Sequence, residues 1–129
     1  MRLRAERIGA LNPHLHLAAE SDLSKILGHV SQTRPSLLVV DSIQTIADAK
    51  VEGAAGGVAQ VRAVSAALVA LAKERALPIL LVGHVTKDGS IAGPRVLEHV
   101  VDVVCQFEGD KHSRLRMVRA VKNRYGPTD

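Results

Sequence analysis

Aromatic side chains are nearly missing from this chain: no Trp, one Phe and one Tyr occur among its 129 residues. Its core must therefore be built from Val, Leu, Ile and Ala. Little aromatic surface remains for stacking nucleobases, so an aromatic single-strand platform is not expected. Cysteine occurs once, at Cys105, which excludes an internal disulfide framework. Its place inside an apolar run predicts a small buried thiol in a reducing compartment. No apolar run approaches the length of a membrane span, and the Arg-rich start has no following signal-peptide core. A soluble, cytoplasmic protein without a membrane partner is expected. The six His residues (His14, His16, His29, His84, His99, His112) come with no Cys pair and no H-E-x-x-H helix, so structural zinc is rejected. No G-x-x-x-x-G-K-[ST] element is present to cradle a triphosphate. Nor is there a dinucleotide Gly fingerprint, which leaves a small-molecule enzyme on a Rossmann-like sheet a distant reading.

What is present is globular in balance, with 47% hydrophobic and 23% charged residues. That amounts to one domain at most, or a piece of one. The formal charge of +4 permits a polyanionic partner without requiring one. The organising stretch is residues 36–45, S-L-L-V-V-D-S-I-Q-T. Its four apolar residues at 37–40 predict a strand buried on both faces, as in a parallel sheet between helix layers. Before it, residues 1–9 read as a helix tail stopped by Gly9, and residues 14–18 as a short, weakly alternating strand. Ser21 or Asp22 then caps a helix with Leu23, Ile26, Leu27 and Val30 on one face. After it come a Gly/Ala-rich loop at 50–57, a helix at 58–76 and a second apolar strand at 77–82. Residues 86–93 read as a loop, and Gly93-Pro94 opens a short helix through Val100. Residues 103–107 and 115–121 predict a strand pair around a polar turn. The fold class is therefore α/β: a mostly parallel sheet flanked by helices, with antiparallel edge strands at the C-terminal end.

In an open α/β sheet, ligands sit beyond the carboxyl ends of the strands. Asp41 stands at such an end, where a carboxylate can hold Mg²⁺ directly or through water, followed by Ser42, Gln44 and Thr45. The plainer alternative is an Asp that caps a turn. His84, after Gly83, ends the second apolar strand and could bond a phosphate or a lytic water; otherwise it is a strand terminus satisfied by backbone. Residues 86–95 offer Lys87, Ser90 and Arg95 as phosphate contacts without a base-reading signature, or are simply a solvated loop. Lys122 and Arg124, just past a strand, suit an anion held in cis or by a neighbouring subunit, or form an ordinary basic turn.

Three motifs then act together: V-V-D-S-I-Q-T at 39–45, G-H-V-T-K-D-G-S-I-A-G-P-R-V-L-E-H-V-V-D at 83–102, and V-K-N-R-Y-G at 121–126. With the opening R-L-R-A-E-R-I-G, they resemble the bacterial RadA (Sms) family of DNA repair proteins, within the RecA-like ATPase superfamily. The last motif looks like the family's K-N-R-F-G with Tyr125 in place of Phe. The resemblance implies a RecA-like core that works as a hexameric ring on single-stranded and branched DNA. It implies ATP and Mg²⁺ as cofactors, branch migration of recombination intermediates as the activity, and the recombinase RecA as a plausible partner. On it, Asp41 is the Walker-B carboxylate, reaching Mg²⁺ through water with Ser42 beside the nucleotide, and His84 senses nucleotide state. Lys87, Ser90 and Arg95 fall in the second DNA-binding loop. Lys122 and Arg124 couple nucleotide to DNA at the subunit interface. The family's zinc finger, Walker A loop, catalytic Glu and Lon-like domain have no counterpart in these residues. The expectation is a partial core over 1–129, incompetent for catalysis alone. The alternatives are a non-catalytic DNA- or subunit-binding module, and a replicative-helicase-like or clock-protein-like relative, which would not predict K-N-R-Y-G.

Overall fold

Each long helix among the described residues begins after an extended cap residue and ends on a left-handed residue that throws the chain into a strand. The computed structural model describes residues 2–84, 96–109 and 111–128. After α1 (Arg2–Arg7), Asp22 caps α2 (Leu23–Thr33): its Oδ1 accepts from the Ser24 hydroxyl at 2.8 Å and the Ser24 N–H at 2.9 Å. Those bonds, the hydroxyl's first, hold the Asp22 carboxyl below its ordinary range. The cap therefore supports the helix above the usual aspartate pKa and is lost as pH falls through the lowered one. Arg34, at φ 45°, ends α2 and leads into β1 (Leu38–Asp41).

Helix α3 (Val58–Arg75) buries Val61, Val64, Leu68 and Leu71 as one stripe, and Ala76 ends it at φ 49°, ψ 44° before β2 (Ile79–Val82). A Cβ in that region costs roughly 1–2 kcal/mol. Ala76→Gly is expected to raise stability by about 0.5–1 kcal/mol, after the entropy of a freer unfolded chain is subtracted. A chemical-denaturation midpoint checks it, and a lowered midpoint would mean that Ala76 sits unstrained.

Strands β1 and β2 pair in parallel, Leu38 against Ile79 through Asp41 against Val82. Period-two alternation puts Leu38, Val40, Ile79 and Leu81 on the face that joins the core of α2 and α3, where Val40 is buried. The opposite face corrects the expectation of a strand buried on both sides: Val39 is 51% and Leu80 55% exposed. The described helices pack against one face only.

β3 (Val103–Gly109) and β4 (Arg116–Asn123) form an antiparallel hairpin with a register shift at Val104/Cys105. Among the described residues it is a sheet of its own rather than an edge of the parallel pair. Cys105 is exposed, not buried, as no layer among the described residues covers its side of the hairpin. Residues 14–18 are irregular: His14 N–H bonds Asn12 Oδ1 and Leu15 N–H bonds Asn12 O, so a turn consumes the start of the expected strand. Of the helix expected through Val100, the described part is one turn, with the Val100 and Val101 N–H groups both on Leu97 O. Leu97 itself enters the core. The fold is mixed α/β, a parallel pair with helices and an antiparallel pair, compatible with an incomplete RecA-like core.

Candidate functional site

The parallel register sets Asp41 beside Val82, so the strand-end carboxylate and Gly83-His84 emerge at one end of the sheet. The chain leaves β1 through a cis Asp41–Ser42 bond into a 3-10 turn, Ile43–Thr45. That turn is anchored from below by Ile43, at 0% exposure, with Ser42 and Ile46 also buried. It is closed by the Thr45 hydroxyl and N–H, which both donate to Ser42 O, at 2.8 and 3.1 Å. Asp41 itself is exposed, and among the described residues its carboxylate and the His84 imidazole take part in no hydrogen bond or ion pair.

Gln44 is the residue that sequence reasoning left without a role. Its Nε2 donates to His84 O at 2.8 Å, and its Oε1 accepts from His84 N–H at 3.2 Å. Gly83 lies under it, yet a Cβ there would meet Gln44 and Ile43 at 3.7 Å, an ordinary contact. The available signal for Gln44 was an amide, one donor and one acceptor group, three residues past a strand-end carboxylate.

No group of three His, Cys, Asp or Glu is gathered to cage a metal among the described residues. A lone exposed carboxylate fits Mg²⁺ better than it fits zinc, since Mg²⁺ keeps most of its waters and takes one or two carboxylates plus phosphate oxygens.

Lys122 and Arg124 are held near the base of the hairpin. The Lys122 ammonium donates to Glu98 O at 2.6 Å and Val101 O at 2.8 Å, fastening β4 to the turn that carries Leu97. Arg124 N–H bonds Asp102 O at 3.0 Å, and its guanidinium pairs with Asp102 Oδ1 at 3.3 Å while staying 68% exposed. Asn123 Oδ1 accepts from Tyr125 N–H, closing the turn of the motif. None of these bonds reaches Asp41 or His84. Lys87, Ser90 and Arg95 lie outside the described residues. A hollow of about 230 Å³, lined by Arg34, Arg75 and Leu77 among others, sits where the strands begin, at the far end from Asp41.

Two parallel strands that carry a carboxylate and a histidine to one end of their sheet place the chain in the mixed α/β class. Within that class the chain is similar over its whole length to DNA repair protein RadA of Mycolicibacterium smegmatis, 58% identical over 133 residues and 28% of that protein. It is likewise similar to DNA repair protein RadA of Mycobacterium tuberculosis H37Rv, 54% identical over 131 residues and 27% of that protein. The protein of the same name from Bacillus subtilis is 51% identical over 128 residues, 99% of this chain and 28% of the relative. The resemblance to the RadA family drawn from three motifs therefore extends over the full chain. The chain spans less than a third of the length of these curated relatives. No protein-family model matches it.

Proposed function

We propose that this chain is part of a DNA-dependent ATPase of recombinational DNA repair, acting in branch migration of recombination intermediates in the cytoplasm. The observation that carries the reading is the parallel register bringing Asp41 and His84 to the same end of the strand pair, in a chain similar throughout to RadA proteins. Asp41 holds the Mg²⁺ of bound ATP through water, with Ser42 fixing the backbone beside it. The metal, when bound, neutralises charge that develops on the transferred phosphoryl group. His84 stands at the same strand end, where its imidazole can donate an N–H to a phosphate oxygen or a water and, when neutral, accept from a water at its other nitrogen. Lys122 and Arg124 belong to the interface with the next subunit of a homo-hexamer. Of the two, the exposed Arg124 guanidinium is the freer to reach a phosphate, since Lys122 already serves two carbonyls. The recombinase RecA fits as a further partner. ATP is secured by a phosphate loop outside these residues, so the isolated chain is not the catalyst.

The test titrates fluorescent ATP-Mg²⁺ and single-stranded DNA into the 129-residue chain and into a chimera. The chimera carries the chain in place of the matching stretch of the M. smegmatis relative. Nucleotide binding and DNA-stimulated turnover by the chimera alone support the proposal. Tight DNA binding by the short chain without nucleotide favours a non-catalytic binding module.

DNA contact is assigned to Lys87, Ser90 and Arg95, with Lys122 and Arg124 nearer the subunit interface. Lys87→Ala with Arg95→Ala is expected to lower the slope of log affinity against log salt by about 1.4, as two single-strand phosphate contacts are lost. An unchanged slope would make that segment purely structural.

A further inference from the structure

We infer that Gln44 is a positioning residue, whose side-chain amide fixes the His84 backbone relative to the Asp41 strand end; its effect on turnover rests on the nucleotide reading above. The β1–β2 ladder stops at Asp41 against Val82. Beyond it, the next two cross-strand hydrogen bonds come from one side chain: Gln44 Oε1 takes the His84 N–H at 3.2 Å and Gln44 Nε2 gives to His84 O at 2.8 Å. That is the paired donor and acceptor a neighbouring strand would supply. The amide is itself immobilised, because its turn is nailed into the core by Ile43 and Ile46, and Thr45 closes on Ser42. The position of His84 is thus referred to the same buried turn that follows Asp41. Asn at 44 would fall a methylene short, Glu would keep the acceptor but lose the donor, and Leu would remove both.

The test has two arms. In the 129-residue chain, Q44L is expected to speed hydrogen exchange at the His84 amide by about tenfold, while the Val64 and Leu68 amides of α3 are unchanged. In the chimera, Q44L is expected to lower kcat by about tenfold or more with the nucleotide KM within about threefold, since misplacement penalises the reacting geometry more than binding. Q44E should fall between. Unchanged exchange at His84 overturns the inference, as does a KM that rises in step with the loss of kcat. Faster exchange throughout α3 also overturns it, by reducing Gln44 to a stability residue. If the chimera with Gln44 intact turns nothing over, the ATPase reading fails, while exchange at His84 still decides whether Gln44 holds it.

Discussion

Replacing Asp41 by Ala in the chimera is expected to cut DNA-stimulated ATP turnover by about 10²–10³-fold, the scale of losing a preorganised electrostatic contact to the reacting phosphate. The side chain is exposed and bonds no described residue, so its removal leaves no buried partner stranded. Stability should change by no more than about 0.5 kcal/mol. This separation makes the measurement decisive: lost turnover with an unmoved unfolding midpoint assigns Asp41 to metal and phosphate. Asp41→Asn, which keeps the shape and drops the charge, should be nearly as inactive. Retained turnover in either variant would remove Asp41 from the metal role and return it to a turn cap.

The largest effect on stability is expected at Gln60, far from any reacting group. It is 1% exposed on α3, and its amide staples the preceding loop from within. Oε1 accepts from Asp48 N–H at 2.8 Å, while Nε2 donates to Val51 O at 2.7 Å and to Asp48 O and Gly53 O at 3.1 Å. Only two N–H bonds serve those three carbonyls, so one is shared, and the staple has no spare donor. Gln60→Leu keeps the bulk but leaves a backbone N–H and several carbonyls without partners. The expected loss is about 2–4 kcal/mol, read as a shift in denaturant midpoint. Gln60→Glu should be no better, because a carboxylate cannot donate to carbonyls. A loss below about 0.5 kcal/mol for the Leu variant would show that water satisfies the loop as well as the side chain does.

Sequence pattern captured what depends on periodicity and punctuation. The Asp22 cap, the apolar stripe of α3 and the hairpin at its polar turn all stand where spacing put them. Coverage was not legible. An apolar run such as residues 37–40 looks the same whether one or both faces meet a helix, and Val39 and Leu80 turned out bare. Cys105 was misjudged for the same reason, since burial depends on a covering layer that its own strand does not encode. At the site, Asp41 and His84 could be read from strand ends alone, because parallel strands must deliver both to one edge. The backbone contacts of Gln44, Gln60 and Lys122 could not. Each side chain acts through backbone atoms of residues distant in sequence (Gln44 on His84, Gln60 on the 48–53 loop, Lys122 on Glu98 and Val101), and backbone partners leave no trace in side-chain pattern.

The open side of the β3–β4 ribbon has a practical consequence. Cys105 is the chain's single thiol, and it stands exposed across from Ala120, whose small side chain leaves room around it. In air, two copies can link through that sulfur into a covalent dimer unrelated to any ring. Measurements of association therefore belong in reductant, with the linked species resolved on a non-reducing gel. The same thiol accepts one maleimide dye or spin label at a defined address, with no cysteine to engineer in or out.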